Sequence, residues 1–103
     1  MKKIINGKTY NTDTATELGR YDNDLGVGDF AHCAEGLYRT AKGAYFLAGR
    51  GGAMSKYSRA IGDNCCAGGS DILPLTECEA KQWAEQHMDA EAYESAFGPA
   101  EEA

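Results

Sequence analysis

The chain has 103 residues, of which 43% are hydrophobic and 25% are charged, values typical of a globular domain that exclude wholesale disorder. We therefore expect a single domain that spans residues 1–103. The net charge of −6 disfavours general nucleic-acid binding, and no apolar run approaches the length that spans a membrane.

The N-terminal residues 2–10, which read KKIINGKTY, predict a β-hairpin. Asn6 and Gly7 accept the positive φ angles of a type I′ turn, and the residues on either side favour strands. Because both strands are short, the hairpin must pack on another element to be stable.

A short helix is predicted within residues 11–19. Thr12 or Asp13 can cap its N-terminus, and Gly19 can end it. A strand is then predicted to begin at Arg20.

The central part of the chain predicts a second hairpin, with strands at residues 37–40 and 44–47. Gly43 supplies the left-handed backbone that the intervening turn needs. The alternation of side chains places Tyr45 and Leu47 on one face and Phe46 on the other. Both faces are therefore partly apolar, which is typical of an inner strand with cover on one side.

Two loops resemble ligand-binding motifs but fail the residue-by-residue comparison. The loop over residues 22–29 is rich in aspartate, but counting twelve positions from its first aspartate gives Cys33, where an EF-hand needs glutamate. The glycine-rich residues 49–52 predict a turn before a short helix. They lack the Walker lysine spacing, and Met54 stands where the last glycine of a G-x-G-x-x-G motif belongs.

The next stretch predicts an irregular loop over residues 61–71 and a short strand over residues 72–75. Pro74 cannot donate to a hydrogen-bond ladder. This strand is therefore expected at the edge of a sheet or is expected to end at Pro74.

The C-terminal region predicts two helices. Thr76 and Glu79 form a capping box at the start of the first helix, whose inward face is Ala80, Trp83, Ala84 and His87. Asp89 can cap the second helix, which Gly98 ends. These elements predict an α+β fold in which a small antiparallel sheet, made of the N-terminal hairpin and the central hairpin, is covered by C-terminal helices.

The four cysteines show no C-x-x-C pair or zinc-ribbon spacing. A metal site built from His32, Cys33, Cys65 and Cys66 would rest on no recognised spacing, so we expect no metal and no cofactor. The apolar run before Asn6 is only Ile4 and Ile5, far shorter than a signal-peptide core needs. We therefore expect reduced thiols and a cytoplasmic location.

No arrangement of serine, histidine and acid stands out, so we assign no catalytic residue and expect no enzymatic activity. Charge is unevenly distributed: residues 1–60 carry nine Lys and Arg against six acids, whereas residues 61–103 carry one lysine and ten acids. The candidate partner-binding residues follow this division, and they are Arg39, Lys42, Arg50, Lys56, Tyr57 and Arg59 in the basic part and Glu77, Glu85, Asp89, Glu91 and Glu94 in the acidic part.

Each group of candidates has several interpretations. Basic and aromatic residues together can stack bases and neutralise phosphates, can form a protein-binding patch, or can be the polar rim of a sheet. The acidic residues can oppose a basic protein groove, can mimic a phosphate backbone, or can be a solvated helix face.

Three stretches resemble one family of small proteins encoded on phages and conjugative elements of Gram-positive bacteria. They are MKKIINGKTYNTDTATELG at the start, LYRTAKGAYFLAGRGGAMSKY in the middle and ILPLTECEAKQWAEQHMDAEAYESAFG near the end. The initial hairpin and the PLT-x-x-EA helix start are the most recognisable parts. Cys65, Cys66, Ala41 and Ala48 depart from the polar residues usual at these positions.

Some members of this family resemble inhibitors of type II CRISPR systems. The resemblance implies a non-catalytic protein of the bacterial cytoplasm that binds a host RNA-guided nuclease or its guide RNA. It would then interfere with guide RNA loading or with target engagement. The alternative is a nucleic-acid-binding accessory or regulatory protein of a mobile element.

Overall fold

The structure is a computed structural model that describes residues 1–23, 32–52, 57, 59–62 and 65–99. For residues 59–62 and 65–67 it describes the backbone alone. Most of the predicted loop over residues 22–29 and nearly all of the helix predicted after Gly52 lie outside the described residues.

The N-terminal hairpin is present as predicted. Strands β1 (Lys2–Ile5) and β2 (Lys8–Asn11) pair antiparallel, with Ile5 opposite Lys8. The two residues between them, Asn6 and Gly7, have φ angles of 51° and 75°. Both angles are positive, as a type I′ turn requires.

A four-stranded antiparallel sheet lies at the centre of the fold. The strands in chain order are β3 (Thr16–Asp22), β4 (Cys33–Arg39), β5 (Tyr45–Gly51), β6 (Arg59–Gly62), β7 (Cys65–Ala67) and β8 (Gly69–Leu75). The central sheet has the order β3-β4-β5-β8, while β6 and β7 pair with each other. With helices α1 (Glu77–His87) and α2 (Ala90–Phe97), the fold is α+β, as predicted.

The helix predicted within residues 11–19 is wrong, because these residues form a turn followed by the start of β3. The side-chain oxygen of Asn11 accepts a hydrogen bond from the backbone N–H of Asp13 at 2.9 Å. The carbonyl oxygen of Asn11 accepts another from the N–H of Ala15 at 3.1 Å. Residues that favour a helix cap also favour such a turn, and here the turn is followed by sheet pairing.

The predicted turn at residues 49–52 is also wrong, because β5 continues to Gly51, where it pairs with Gly69 of β8. The irregular loop predicted over residues 61–71 is wrong in part, since β6, β7 and β8 contribute strands to it. Glycine at position 49 has a packing role: a Cβ atom there would collide with the ring of Tyr57. Gly49 therefore marks a place where the Tyr57 ring contacts the backbone of a strand, and not a turn.

The two helices begin and end where the sequence predicts. The Thr76 hydroxyl accepts from the N–H of Glu79 at 3.1 Å, and the Glu79 carboxylate accepts from the N–H of Thr76 at 2.9 Å, which completes the capping box. Asp89 caps α2 by accepting from the N–H of Ala92 at 2.8 Å. Gly98 follows the helix with a φ of 88°.

The central sheet carries a layer on each face. The helices cover one face, where the buried residues are Leu37, Leu47, Ala80, Trp83 and Ala84. The N-terminal hairpin covers part of the other, where the buried residues are Tyr10, Phe46 and Ile72. Phe46 and Leu47 therefore point to opposite faces of β5, as predicted, and β8, which contains Pro74, lies at the edge of the central sheet.

Candidate functional site

The basic candidates whose side chains the structure describes do not meet at one place. Arg39 is exposed at the end of β4, and Lys42 is exposed in the turn that follows. Arg39 lies opposite Tyr45, and Arg50 is five residues further along β5, which places these two arginines roughly 17 Å apart along the strand. Lys56 and the side chain of Arg59 lie outside the described residues.

Tyr57 was predicted to bind a partner, but its side chain is buried, with 4% of its surface exposed. Its hydroxyl donates to the Glu35 carboxylate at 2.5 Å, and the other oxygen of Glu35 accepts from the indole Nε1 of Trp83 at 3.2 Å. This interaction joins β4, α1 and Tyr57 below the surface. Tyr57 therefore belongs to the interior and is not available to a partner in this structure.

Burial of Tyr57 and its hydrogen bond to the Glu35 carboxylate raise the pKa of the tyrosine well above its ordinary value. Sequence reasoning missed Glu35 as a structural residue. The available signal was its place two residues before Leu37 on β4, which puts both side chains on the face that the helices cover. A carboxylate on such a face needs hydrogen-bond donors, and Tyr57 and Trp83 provide them.

Three of the five acidic candidates converge where α1 meets α2. Glu85, Asp89 and Glu94 surround a concave space of about 310 Å³ whose floor includes Ala84, Met88 and Tyr93. We call this set of six residues the acidic groove. All three carboxylate residues are exposed.

The remaining acidic candidates lie outside the acidic groove. Glu77 is in the first turn of α1, eight residues and about 12 Å along the helix from Glu85. It forms an ion pair with Lys81 at 3.2 Å, which raises the pKa of that lysine. Glu91 is exposed in the first turn of α2.

The acidic groove has the chemistry to bind a basic side chain of another molecule. Lysine and arginine have long aliphatic stems that pack on apolar surface while their charged ends reach outward. Met88 and Tyr93 offer the apolar surface, and the surrounding carboxylates offer acceptors for an ammonium or guanidinium group. This arrangement favours a basic protein surface over an anionic nucleic acid.

Arg50 lies at a second and wider groove of about 620 Å³ on the sheet face opposite the helices. The floor of this groove includes Ala34, Gly36 and Ala48, and Arg20 also lines it. Arg20 is paired with Glu17 at 2.7 Å, which lowers the pKa of that glutamate. Arg20 is therefore already neutralised by Glu17, so it adds little net positive charge to the groove beside Arg50.

Within the described part of the chain, no three His, Cys, Asp or Glu side chains come close enough together to hold a metal ion. Cys33 is half-buried and Cys78 is exposed, and the side chains of Cys65 and Cys66 lie outside the described residues. Neither described helix has the length and apolar character needed to cross a membrane.

Comparisons with known protein families, with curated proteins and with solved structures find no match to this chain. The resemblance to phage and conjugative-element proteins accordingly stays a prediction. The chemistry of the surfaces is therefore the basis on which a function can be argued.

Proposed function

We propose that this protein is a non-catalytic inhibitor that binds a bacterial RNA-guided nuclease of the type II CRISPR kind. The acidic groove carries this proposal, because it combines three exposed carboxylates with an apolar floor in a concave surface. From residue 76 to residue 99 the chain has six carboxylates and a single lysine, so the surroundings of the groove are also negative.

A nuclease of this class holds its guide–target duplex in a strongly positive channel. An acidic protein surface that occupies such a channel competes with the phosphate backbone for the same cations. Binding before the guide RNA is loaded would prevent assembly, and binding afterwards would prevent target engagement. The resemblance of the N-terminal hairpin and of the PLT-x-x-EA helix start to inhibitor-encoding elements is our reason for proposing this partner among basic proteins.

Electrostatic complementarity of this kind acts chiefly on the association rate and on specificity. Exposed charges are screened over about 8 Å at physiological ionic strength. The proposal therefore implies that association slows steeply as salt is added. An interface made mainly of buried apolar contacts would respond much less.

The test uses a purified type II nuclease, with and without its guide RNA, and the full-length protein. We expect a stable complex on size exclusion and loss of target cleavage that is complete at a stoichiometric ratio. The Glu85→Gln/Glu94→Gln variant removes two charges from the acidic groove and should weaken binding about tenfold.

The matched control is Glu77→Gln/Glu91→Gln, which removes two charges from the same two helices outside the acidic groove. Its affinity should stay within about twofold of the parent protein, because only general attraction changes. Equal losses in both variants would contradict the assignment to the groove. Normal guide loading and cleavage with excess protein would contradict the inhibitor proposal, and inhibition by substoichiometric protein would contradict its non-catalytic character.

The alternative, a nucleic-acid-binding accessory protein, has less support. Arg39 and Arg50 lie at opposite ends of the central hairpin, and Tyr57 is buried, so the described members of the predicted basic and aromatic patch do not form one surface. Salt-dependent RNA or DNA binding that is lost on charge removal at Arg39 would favour this alternative.

A further inference from the structure

A groove separate from the acidic groove lies between the N-terminal hairpin and the turn of the central hairpin. Lys8, Asn11, Thr40 and Lys42 line it, together with Tyr10, and it encloses about 540 Å³. We call it the hairpin groove. Tyr10 packs on Phe46, so this groove is on the face of the central sheet opposite the helices.

The two lysines give the hairpin groove uncompensated positive charge. No carboxylate is among the residues that line it, in a protein with 16 acids and 10 Lys and Arg. Among the described residues, no hydrogen bond or ion pair involves the side-chain ammonium group of Lys8 or Lys42. By contrast, Lys3 is paired with Asp71 at 2.6 Å and Lys81 with Glu77 at 3.2 Å.

Two neutral polar side chains of the hairpin groove, those of Asn11 and Thr40, retain donors for another molecule. The Thr40 hydroxyl oxygen accepts from the N–H of Ala44 at 3.0 Å, which leaves its proton available to another molecule. The Asn11 side-chain oxygen accepts from the N–H of Asp13, which leaves the amide NH₂ as the free end of that side chain. Thr14, which also lines the groove, instead directs its hydroxyl proton to the carbonyl of Asn11 at 3.4 Å.

From this arrangement we infer that the hairpin groove is a binding site for a small molecule that carries a phosphate group. Phosphate oxygens are acceptors only, and they match two ammonium groups, a hydroxyl and an amide NH₂. The volume lies in the range of sites that hold ligands the size of a nucleotide. The site shares no residue with the acidic groove, so it is independent of the proposed nuclease binding.

The test is a two-dimensional ¹H–¹⁵N NMR titration of the full-length protein with adenosine 5′-monophosphate, with inorganic phosphate and with adenosine. The monophosphate should give saturable shifts in the amide signals of Asn11 and Thr40. Inorganic phosphate should shift the same signals with lower affinity, and adenosine should leave them unchanged. Absence of saturable shifts with millimolar monophosphate would overturn the inference, as would equal binding of adenosine.

Two variants test whether the lysines of the hairpin groove bind the phosphate group. Lys8→Gln and Lys42→Gln lie at exposed hairpin positions, and each should weaken monophosphate binding about fivefold or more. The control is Lys81→Gln, which removes the same charge from α1, on the other face of the central sheet and outside the groove. Retained binding in both groove variants, or an equal loss in the control, would overturn the assignment.

Discussion

Glu35 joins three parts of the fold through its two carboxylate oxygens. It is 6% exposed, and its partners are the hydroxyl of Tyr57 and the indole N–H of Trp83. A carboxylate in this place accepts from both donors at once. Removing one member of such an interaction leaves a buried polar group unsatisfied, which costs more than the bond itself contributes.

The variant Glu35→Gln should therefore lower the free energy of unfolding by about 1–3 kcal/mol. Glutamine keeps the shape but has a single acceptor oxygen, so its NH₂ group faces one of the two donors. Urea unfolding followed by Trp83 fluorescence measures the change.

Glu17→Gln is the matched control for Glu35→Gln. Glu17 also accepts from a tyrosine hydroxyl, that of Tyr38 at 3.0 Å, but it is exposed to solvent. Glu17→Gln should lower the free energy of unfolding clearly less than Glu35→Gln, because water can replace the missing interaction. Equal decreases in the free energy of unfolding of the two variants would contradict a special role for the burial of Glu35.

The raised pKa of Tyr57 predicts that the free energy of unfolding decreases at alkaline pH. Burial and the Glu35 carboxylate raise its pKa, so the folded protein keeps the phenolic proton at pH values where the unfolded chain has lost it. The stabilisation is complete below the unfolded pKa of about 10 and is lost as the pH rises above it, with a slope near 1.4 kcal/mol per pH unit.

In Tyr57→Phe this contribution to the slope should be absent. Urea unfolding of both proteins between about pH 9 and pH 11 measures it. The difference between the two proteins removes the contributions of the lysines and of the other tyrosines, including Tyr38, whose pKa burial also raises. The same slope in both proteins would contradict the assignment to Tyr57.

The elements that the sequence predicts well are determined by residues that lie close together in the chain. Asn6 and Gly7 determine the N-terminal turn, and Thr76 and Glu79 determine the start of α1. The placement of the three carboxylates of the acidic groove on or beside two helices was predicted for the same reason, because both helices have clear caps, but their convergence in one groove was not predicted.

The features that were missed depend on contacts distant in sequence. Residues 11–19 favour a turn or a helix alike from their local sequence. Residues 16–19 form a strand because they pair with β4, which lies far away in the sequence. Gly49 resembled a turn glycine, because nothing local indicates that the Tyr57 ring needs its space. Glu35 is 22 residues from Tyr57 and 48 from Trp83, so no local pattern could join them.

The capping box gives a prediction for α1. Thr76→Ala should lower the free energy of unfolding by about 1 kcal/mol, because the N–H of Glu79 loses its acceptor. Thermal unfolding followed by circular dichroism should show a decrease of about 4–8 °C for a domain of this size. Ser95→Ala, at an exposed interior position of α2, is the control and should leave the midpoint unchanged or raise it slightly. A shift as small for Thr76→Ala as for the control would contradict a stabilising cap.

The two charged grooves belong to different layers of the molecule. The acidic groove belongs to the helical layer, and the hairpin groove lies on the opposite face of the central sheet. Sites that share no residues and lie on opposite faces should respond independently to substitution. Two partners of opposite charge can then bind one small domain together.

This independence is testable with the variants already described. Glu85→Gln/Glu94→Gln should bind adenosine 5′-monophosphate with unchanged affinity, and Lys8→Gln/Lys42→Gln should bind the nuclease with unchanged or slightly higher affinity, because it is more acidic overall. Titration of each variant with both ligands measures the four affinities. If the lysine variant loses nuclease binding by tenfold or more while its amide spectrum stays native, the hairpin groove belongs to the nuclease interface. In that case the two charged surfaces act as one binding site, and the layers do not separate their functions.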